Sequence, residues 1–475
     1  MPVILSAAVT QLAKNAKSDA TKQRYNSCNY HFLHYLYKHH HEVFKPDFGN
    51  RLDVIKSGPL NQKQKETRFR AEILAWLDGM SCDNPEKCPL LIHNVEYNHI
   101  ANYIAQKKTK NGSFLAQASY QGIRSAIVHF FKFANSPLPN NFNSEIEELL
   151  KGLKRTIISA KVSSGESLEE GKEVMSFECY ELLCKKFLTG KGNEAIFAHA
   201  FLTFEWNLMA RAQNVVDIAL SDMEWDGDCM ILRMKRTKND QDGKWKKYPF
   251  HVFCNPQKPW LCCPTAIGTY ILSSQNVIAG QGGKLFPSQN QYARYSHILQ
   301  KTIRDNEEEF AEIGVTAKEI GSHSARKGAA TYASAGTTCC PSIAAICNRA
   351  GWKMGGSRDK YIHSADASDQ YLGRVLAGLP ILEIELSYTC YFFECNSNDE
   401  KLAVLKWVKD AIPNSRNLGL LQWECIRNCV AGVIFHRRTL LEMWDATHIL
   451  RQHAVVVDLP LVSIMICLSF FKCYF

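Results

Sequence analysis

The chain has 475 residues, of which 46% are hydrophobic and 22% charged, and its formal net charge is +9. This composition is that of a globular protein, and the length predicts two or three domains. The positive charge weakly favours a polyanionic partner. The apolar segment 459–471 falls far short of the ~20 residues that cross a bilayer. We therefore expect a buried strand or short helix there, and no membrane partner.

The 18 cysteines are scattered along the chain. The first 20 residues lack the ordered parts of a signal peptide, which favours a reducing, intracellular compartment and makes disulfides unexpected. None of the close cysteine pairs has the paired C-x₂-C spacing of a zinc site, so we predict no metal. These pairs are Cys82/Cys88, Cys262/Cys263, Cys339/Cys340, Cys390/Cys395 and Cys425/Cys429.

The N-terminal third has the spacing of apolar residues that is typical of helices. Tyr30, Leu33 and Leu36, for example, fall on one face of the first helical segment. The sequence therefore predicts an all-helical domain over residues 1–158. Its predicted helices are 18–41, 64–79, 95–107 and 115–135, followed by one that begins near 145.

Two local patterns mark the end of this domain. Asn143 and Ser144 precede Glu147, a spacing that predicts a capping box at the start of the last helix. Residues 159–173 are small and polar, which predicts a flexible linker.

The next region, 174–379, changes character along its length. Helical patterns at 177–188 and 193–218 are followed by two strand-like runs, and Asp242-Gly243 between these runs is typical of a hairpin turn. Helical patterns resume after 263. We predict a mainly α domain with a small antiparallel sheet, and a C-terminal extension, 380–475, of unknown role. Within that extension, 382–395 predicts a strand pair and 400–450 predicts helices.

One stretch of the second domain carries most of the chemical information. His323-x-x-Arg326 is followed by Gly351-Trp352, and Tyr361 comes nine residues after the tryptophan. Arg211 lies upstream, and Lys238 lies in the predicted hairpin. Each of these residues alone is more often structural than functional, but their ordered combination rarely arises by chance.

This set resembles the active site of the tyrosine recombinase, or phage integrase, family. The resemblance covers about residues 175–375 firmly and the N-terminal domain more loosely. It implies an all-helical core-binding domain joined to an α+β catalytic domain. It also implies DNA cleavage through a covalent 3′-phosphotyrosine, for site-specific recombination, integration or transposition. The implied catalytic residues are Arg211, Lys238, His323, Arg326, Trp352 and Tyr361.

The residue types suit phosphoryl transfer. Two arginines can each donate paired hydrogen bonds to the phosphate oxygens. Tyr361 would be the nucleophile and His323 its base, while Lys238 would protonate the leaving 5′-oxygen. No metal or nucleotide is needed because the phosphotyrosine stores the energy of the broken bond, so we expect no cofactor.

Two assignments have competitors. Lys235 competes with Lys238 as the leaving-group acid, and we prefer Lys238 because R-T-K before the turn matches the family. Tyr371 competes with Tyr361, but it lies too far after Gly351-Trp352. The sequence also departs from the family, which usually carries an acidic residue three or four positions after the first arginine. Asn214 and Val215 occupy those positions here, with Asp217 close by.

Basic residues in both domains are candidates for phosphate contacts. In the N-terminal domain they lie on a helix and just before it, and an ordinary solvated face explains them equally well. In the second domain they lie in the hairpin. The candidates are Lys107, Lys108, Lys110, Arg124, Lys235, Arg236, Lys244, Lys246 and Lys247.

The resemblance implies further properties and leaves alternatives open. The implied partner is double-stranded DNA, bound by a homotetramer on two sites. Residues 366–380 resemble eukaryotic Crypton-type mobile-element recombinases in particular, which implies a nuclear location. One alternative is a domesticated, non-catalytic DNA-binding protein derived from such an element. A metal-dependent nuclease is another, but no carboxylate cluster with metal-ligand spacing supports it.

Overall fold

The computed structural model shows a mainly α protein with a small antiparallel sheet, as predicted. It divides into two compact units, Met1–Glu170 and Gly171–Phe475. None of the described helices is both long and apolar enough to cross a membrane. The described residues are 18–79, 88–165, 171–233, 249–274, 283–355, 366–380, 389–393, 397–412, 418–457 and 464–468.

The described part of the first unit is a helical bundle with its own core. Aromatic and aliphatic residues such as Phe32, Phe69 and Phe130 are fully or almost fully buried in it. The long helices are α1 (Asp19–His39), α2 (Pro46–Ser57), α3 (Gln62–Gly79), α4 (Tyr97–Gln106), α5 (Gln117–Phe133) and α6 (Phe142–Ser164).

Helix α6 corrects two predictions. It begins at Phe142 after Asn141, which has a left-handed backbone, so Asn143 and Ser144 lie inside the first turn and form no capping box. It continues to Ser164 and ends at Gly165 (φ 69°). The predicted linker is therefore helical over 159–164, because the helix runs on until a glycine can adopt the left-handed conformation of a C-terminal cap.

The second unit surrounds a larger core. Its elements up to residue 376 are α7 (Phe177–Thr189), α8 (Gly192–Asn207), α9 (Ala212–Val216), β1 (Met223–Asp226), β2 (Cys229–Leu232), β3 (Phe250–Phe253), α10 (Cys263–Ser273), α11 (Gln291–Asp305), α12 (Glu307–Glu312), α13 (Ser324–Ala335), α14 (Ile343–Ala350) and α15 (Asp366–Leu376). Later elements are β4 (Thr389–Phe393), α16 (Asn398–Ala411), α17 (Leu420–Phe435), α18 (Arg437–Met443), α19 (Ala454–Val457) and β5 (Ile464–Leu468).

The three-stranded sheet has the order β1-β2-β3, and both of its strand pairs are antiparallel. The predicted hairpin pair corresponds to β2 and β3, whereas β1 was not predicted. Residues 234–248, between β2 and β3, lie outside the described residues. In the extension, β4 pairs with β5 rather than with a sequence neighbour, and β5 confirms a strand in the apolar C-terminal segment.

The C-terminal extension contributes to the core of the second unit. Helix α17 has an exposed first turn but is largely buried from Cys425 to Ile434, and it packs on α10 and β1. At Gly268 the two helices approach so closely that an added Cβ would lie 2.4 Å from the Cys429 carbonyl oxygen. The role of 380–475 therefore includes completing this core.

This close approach leads to a stability prediction. We expect Gly268→Ala to destabilise the second unit by about 1–3 kcal/mol, because the backbone of α17 would have to move away. The control is Gly152→Ala at an exposed position of α6, where nothing lies within 4 Å of an added Cβ. This variant should stabilise the first unit by about 0.5–1 kcal/mol. Thermal unfolding of both variants checks this. A neutral Gly268→Ala would contradict the packing.

Candidate active site

A break after α8 places Arg211. The sequence predicted one helix over 193–218, but α8 ends at Asn207 and Met209 adopts a left-handed backbone (φ 46°). Such a conformation is uncommon for a residue with a side chain. The chain then turns, and Arg211 precedes the short helix α9 as its N-cap residue. The predicted continuous helix is thus wrong at the position that carries the first arginine.

Arg326 lies in the first turn of α13 and is only 8% exposed. Its Nη1 donates to the Met209 carbonyl oxygen at 2.8 Å, and its Nη2 donates to the Ala350 carbonyl oxygen. Since a guanidinium has five N–H donors, these two bonds fix the group and leave other donors for a ligand. Arg326 therefore joins the turn before Arg211 to the end of α14.

Trp352 follows the end of α14. Gly351 has a left-handed backbone (φ 69°) and the Trp352 N–H bonds to the Cys347 carbonyl oxygen, which is the geometry of a glycine-terminated helix. The indole is 40% exposed, and the Arg326 guanidinium carbon lies 5.6 Å from the centre of its ring. The tryptophan thus covers one side of the buried arginine.

Arg211, His323 and Arg326 share one electropositive site. Arg211 and Arg326 lie near enough to each other, and to His323, for their charges to act on one another. Among the described residues, neither arginine forms a salt bridge, and the Arg211 side chain has no hydrogen bond. Burial, and then the charge of Arg211, lowers the pKa of Arg326 to about 10, so it stays charged at neutral pH. Two neighbouring guanidiniums without a salt-bridge partner are chemically suited to bind an anion.

His323 is the residue immediately before α13, one turn from Arg326. Burial lowers its pKa below the ordinary value, and the charges of Arg211, Arg326 and Lys327 lower it further. The imidazole is therefore neutral at physiological pH. In that form it can accept a proton, as the role of base requires.

The electrostatic coupling predicts a titration shift. We expect Arg211→Ala to raise the pKa of His323, because removing a neighbouring positive charge makes the imidazolium less unfavourable. Lys327→Ala should raise it less, since Lys327 is the smallest of the three charge contributions. Titration of the His323 ring protons by NMR measures both shifts. An unchanged pKa in Arg211→Ala would contradict the shared site.

Glu205, near the end of α8, is a neighbour that the sequence analysis missed. Its carboxyl is fully buried, and neither oxygen has a hydrogen-bond partner among the described residues. Burial raises its pKa far above the ordinary value, although Tyr295 and Arg326 oppose the shift. Burial therefore favours the uncharged form of this carboxyl, whereas the charge of nearby Arg326 favours the ionised form. A lone Glu within the apolar run FLTFEWNLM was the available signal.

Asp217 does not take the place of the acidic residue that the family usually carries. Its carboxylate accepts a hydrogen bond of 3.0 Å from Lys284 Nζ. Asp217 is therefore paired with Lys284 rather than with Arg211.

The remaining predicted site residues of this unit lie outside the described part of the chain. Tyr361 belongs to 356–365, and the hairpin residues belong to 234–248. Tyr371, the competitor of Tyr361, lies on α15 and donates its hydroxyl to the Cys339 carbonyl oxygen at 3.0 Å. The hairpin residues are Lys235, Arg236, Lys238, Lys244, Lys246 and Lys247.

No protein-family model and no curated protein matches the chain. A solved structure of the XerH site-specific recombinase bound to difH substrate, a pre-cleavage complex, is similar with a TM-score of 0.37 and 12% identity; the match covers 75% of this chain and 94% of that one. For a post-cleavage complex of XerH with palindromic difH substrate, the TM-score is 0.36, the identity 12% and the coverages 74% and 95%.

The first unit presents the predicted basic residues around one turn. Lys107, Lys108 and Lys110 lie in this turn, which is closed by a bridge between Lys108 and Phe114. The Nζ atoms of Lys107 and Lys108 lie over the rings of Tyr103 and Phe114, at 5.4 and 5.0 Å from the ring centres. Burial lowers the pKa of Lys107, whereas Lys110 is exposed.

Helix α5 adjoins this turn, since the Tyr120 hydroxyl donates to the Lys107 carbonyl oxygen at 2.6 Å. Arg124, one helical turn further on, makes a long hydrogen bond of 3.5 Å to Asn143 Oδ1. Arg24 of α1, which the sequence analysis missed, lies against Gly122 of α5. The turn and α5 thus carry four of the basic side chains named here, and Arg24 of α1 adds a fifth beside α5.

A group of His40, Glu42 and His99 has ligand atoms within 4.8 Å of one another, the one such group found in the described ranges. However, His99 Nδ1 accepts the backbone N–H of Glu96 at 3.1 Å. A neutral imidazole whose Nδ1 is an acceptor carries its proton on Nε2, so neither ring nitrogen is free for a metal. These residues do not fit a metal site without loss of that hydrogen bond.

Proposed function

We propose that this chain is a tyrosine recombinase, which cleaves and rejoins double-stranded DNA through a 3′-phosphotyrosine at Tyr361. The observation that carries the proposal is the pair of guanidiniums, Arg211 and Arg326, brought together from distant segments without a carboxylate partner among the described residues. A DNA phosphodiester carries one negative charge that can pair with these guanidiniums. More negative charge develops on its non-bridging oxygens in the transition state.

In the proposed cleavage step, the phosphorus exchanges its bond to the 5′-oxygen for a bond to the Tyr361 oxygen. The Tyr361 oxygen attacks the phosphorus, and its proton passes to neutral His323. The bond from phosphorus to the 5′-oxygen breaks, and Lys238 protonates that oxygen. Arg211 and Arg326 stabilise the charge on the non-bridging oxygens, and Trp352 lies beside Arg326. Attack by a 5′-hydroxyl reverses these steps and joins the strands.

Tyr361 is the proposed nucleophile rather than Tyr371. The Tyr371 hydroxyl is engaged by the Cys339 carbonyl oxygen, and burial raises its pKa. A tyrosine in that setting is a poor nucleophile, because the attacking species is the phenolate.

The proposal extends to partners and setting. We propose that the basic turn and α5 of the first unit contact DNA phosphates, and that the enzyme acts as a homotetramer on two DNA sites. A Crypton-type mobile element and a nuclear location belong to the same proposal.

The test uses nicked duplexes of randomised sequence. Cleavage near the nick releases a short DNA fragment, which then cannot rejoin, and the protein stays covalently attached to the DNA. The protein is incubated with this pool in chelator, and adducts that resist detergent are collected. We expect an adduct with the unaltered protein, and none with Tyr361→Phe. Noncovalent binding without any adduct would instead support a domesticated DNA-binding protein. Cleavage that needs a divalent metal would support a nuclease.

A further inference from the structure

Arg349, on the last turn of α14, lies in an unusual position for an arginine. Its side chain is completely buried in the second unit. Burial lowers its pKa, and the neighbouring Asp369 opposes that shift. A buried arginine is unfavourable unless hydrogen bonds and a counter-charge satisfy it. The partners of Arg349 therefore show what its burial accomplishes.

The guanidinium of Arg349 reaches three other segments. Its Nε donates to the Asn207 carbonyl oxygen at 3.0 Å, at the end of α8. Its Nη2 donates to the His251 carbonyl oxygen on β3 at 2.7 Å, and its Nη1 donates to Asp369 Oδ1 on α15 at 2.9 Å. One planar group thus fixes the distances between four elements.

Asp369 closes the network. Its Oδ2 accepts the backbone N–H and the ring Nδ1–H of His251, each at 2.9 Å. Burial alone would raise the pKa of Asp369, but the charge of Arg349 and the bonds from His251 outweigh it, so the pKa is lower than usual. The carboxylate stays ionised, and α15 is held against both β3 and α14.

These four elements lead directly to the segments that carry the proposed catalytic residues. Asn207 precedes the turn to Arg211, and β3 is the strand that follows the Lys238 hairpin. Arg349 itself lies three residues before Trp352, and α15 begins five residues after Tyr361. Arg326 makes a second link between the ends of α8 and α14, because it donates to the carbonyl oxygens of Met209 and Ala350.

We infer that Arg349 is a positioning residue, which through Asn207, His251 and Asp369 fixes the elements next to Arg211 and Trp352 relative to β3 and α15, the elements that follow Lys238 and Tyr361 in the chain. The inference rests on the proposed function, and it assigns Arg349 no contact with DNA. Misplacement of reacting groups by about 1 Å can cost ~10²-fold in rate. The positioning therefore affects cleavage far more than DNA binding.

The test compares Arg349→Lys with a matched variant, Arg374→Lys. Lysine keeps the charge but cannot reproduce the three directed bonds. Arg374 lies on α15, the helix that carries Asp369; it pairs with Asp228 at 2.9 Å, and its guanidinium carbon lies 4.0 Å from the centre of the Phe253 ring. We expect Arg349→Lys to form the DNA adduct about 10²-fold more slowly under conditions in which it stays folded, with DNA affinity changed no more than in Arg374→Lys.

A second readout does not depend on cleavage. Hydrogen exchange is followed in peptides spanning 207–217 and 366–376. Arg349→Lys should speed exchange in both peptides, and Arg374→Lys only in the second. The inference is overturned if exchange in 207–217 is unaltered, or if adduct formation slows equally in the two variants. Absence of an adduct with the unaltered protein would refute the proposed function, and the exchange result would still decide whether Arg349 couples these segments.

Discussion

Arg326→Lys is expected to slow covalent adduct formation by about 10²–10³-fold while the protein remains folded. Lysine retains a positive charge, but it cannot bond the Met209 and Ala350 carbonyl oxygens and also present a pair of donors to a phosphate. Loss of one directed donor to a developing oxyanion typically costs this much.

The measurement is the rate of adduct formation at saturating DNA, and the control is Arg304→Lys at an exposed position of α11. That control makes the same change of side chain and should alter the rate less than about twofold. Equal rates for Arg326→Lys and Arg304→Lys would mean that the buried guanidinium does not act on the phosphate.

Arg349→Met should destabilise the second unit by about 3–5 kcal/mol. It would leave the Asp369 carboxylate buried without its cation, and removal of one partner of a buried pair typically costs that much. The double variant Arg349→Met/Asp369→Leu should recover part of the loss, because apolar residues can replace a buried pair at little cost, while the two N–H groups of His251 lose their acceptor.

Denaturant unfolding of the full chain, followed through the transition of the second unit, measures both values. The pairing argument fails if the single variant loses less than about 1 kcal/mol. It also fails if the double variant is less stable than the single one, since the desolvated carboxylate would then not be the cause.

The sequence predicted the long helices of the first unit except α2 (Pro46–Ser57), because the predicted ones have an apolar face and most of them end near Gly, Pro or polar residues. Pattern alone could not fix the boundaries of α6, whose start depends on the backbone of Asn141 and whose end depends on Gly165. It also merged α8 with α9, because the residues around Met209 are as apolar as the helix before them. That break depends on tertiary bonds, including the one from Arg326.

The sequence singled out residues that form a motif and missed the buried residues around them; the catalytic roles of the motif residues stay predictions. Arg211, His323, Arg326 and Trp352 were proposed from their order in the chain, and the structure brings them together. Arg349, Glu205 and Asp369 belong to no motif. The only sequence signal for them was a single charge in an otherwise apolar segment. The partners of Arg349 lie 20 to 142 residues away in the chain. Only a folded structure shows such contacts.

Mapping the adduct tests the central claim most directly. The protein trapped on a nicked duplex is digested with protease and nuclease, and the peptide that retains a nucleotide is identified by mass spectrometry. We predict a nucleotide joined through its 3′-phosphate to Tyr361, in the peptide that follows Gly351-Trp352. A nucleotide on Tyr371 or on any other residue, or a 5′-phosphate linkage, would contradict the account.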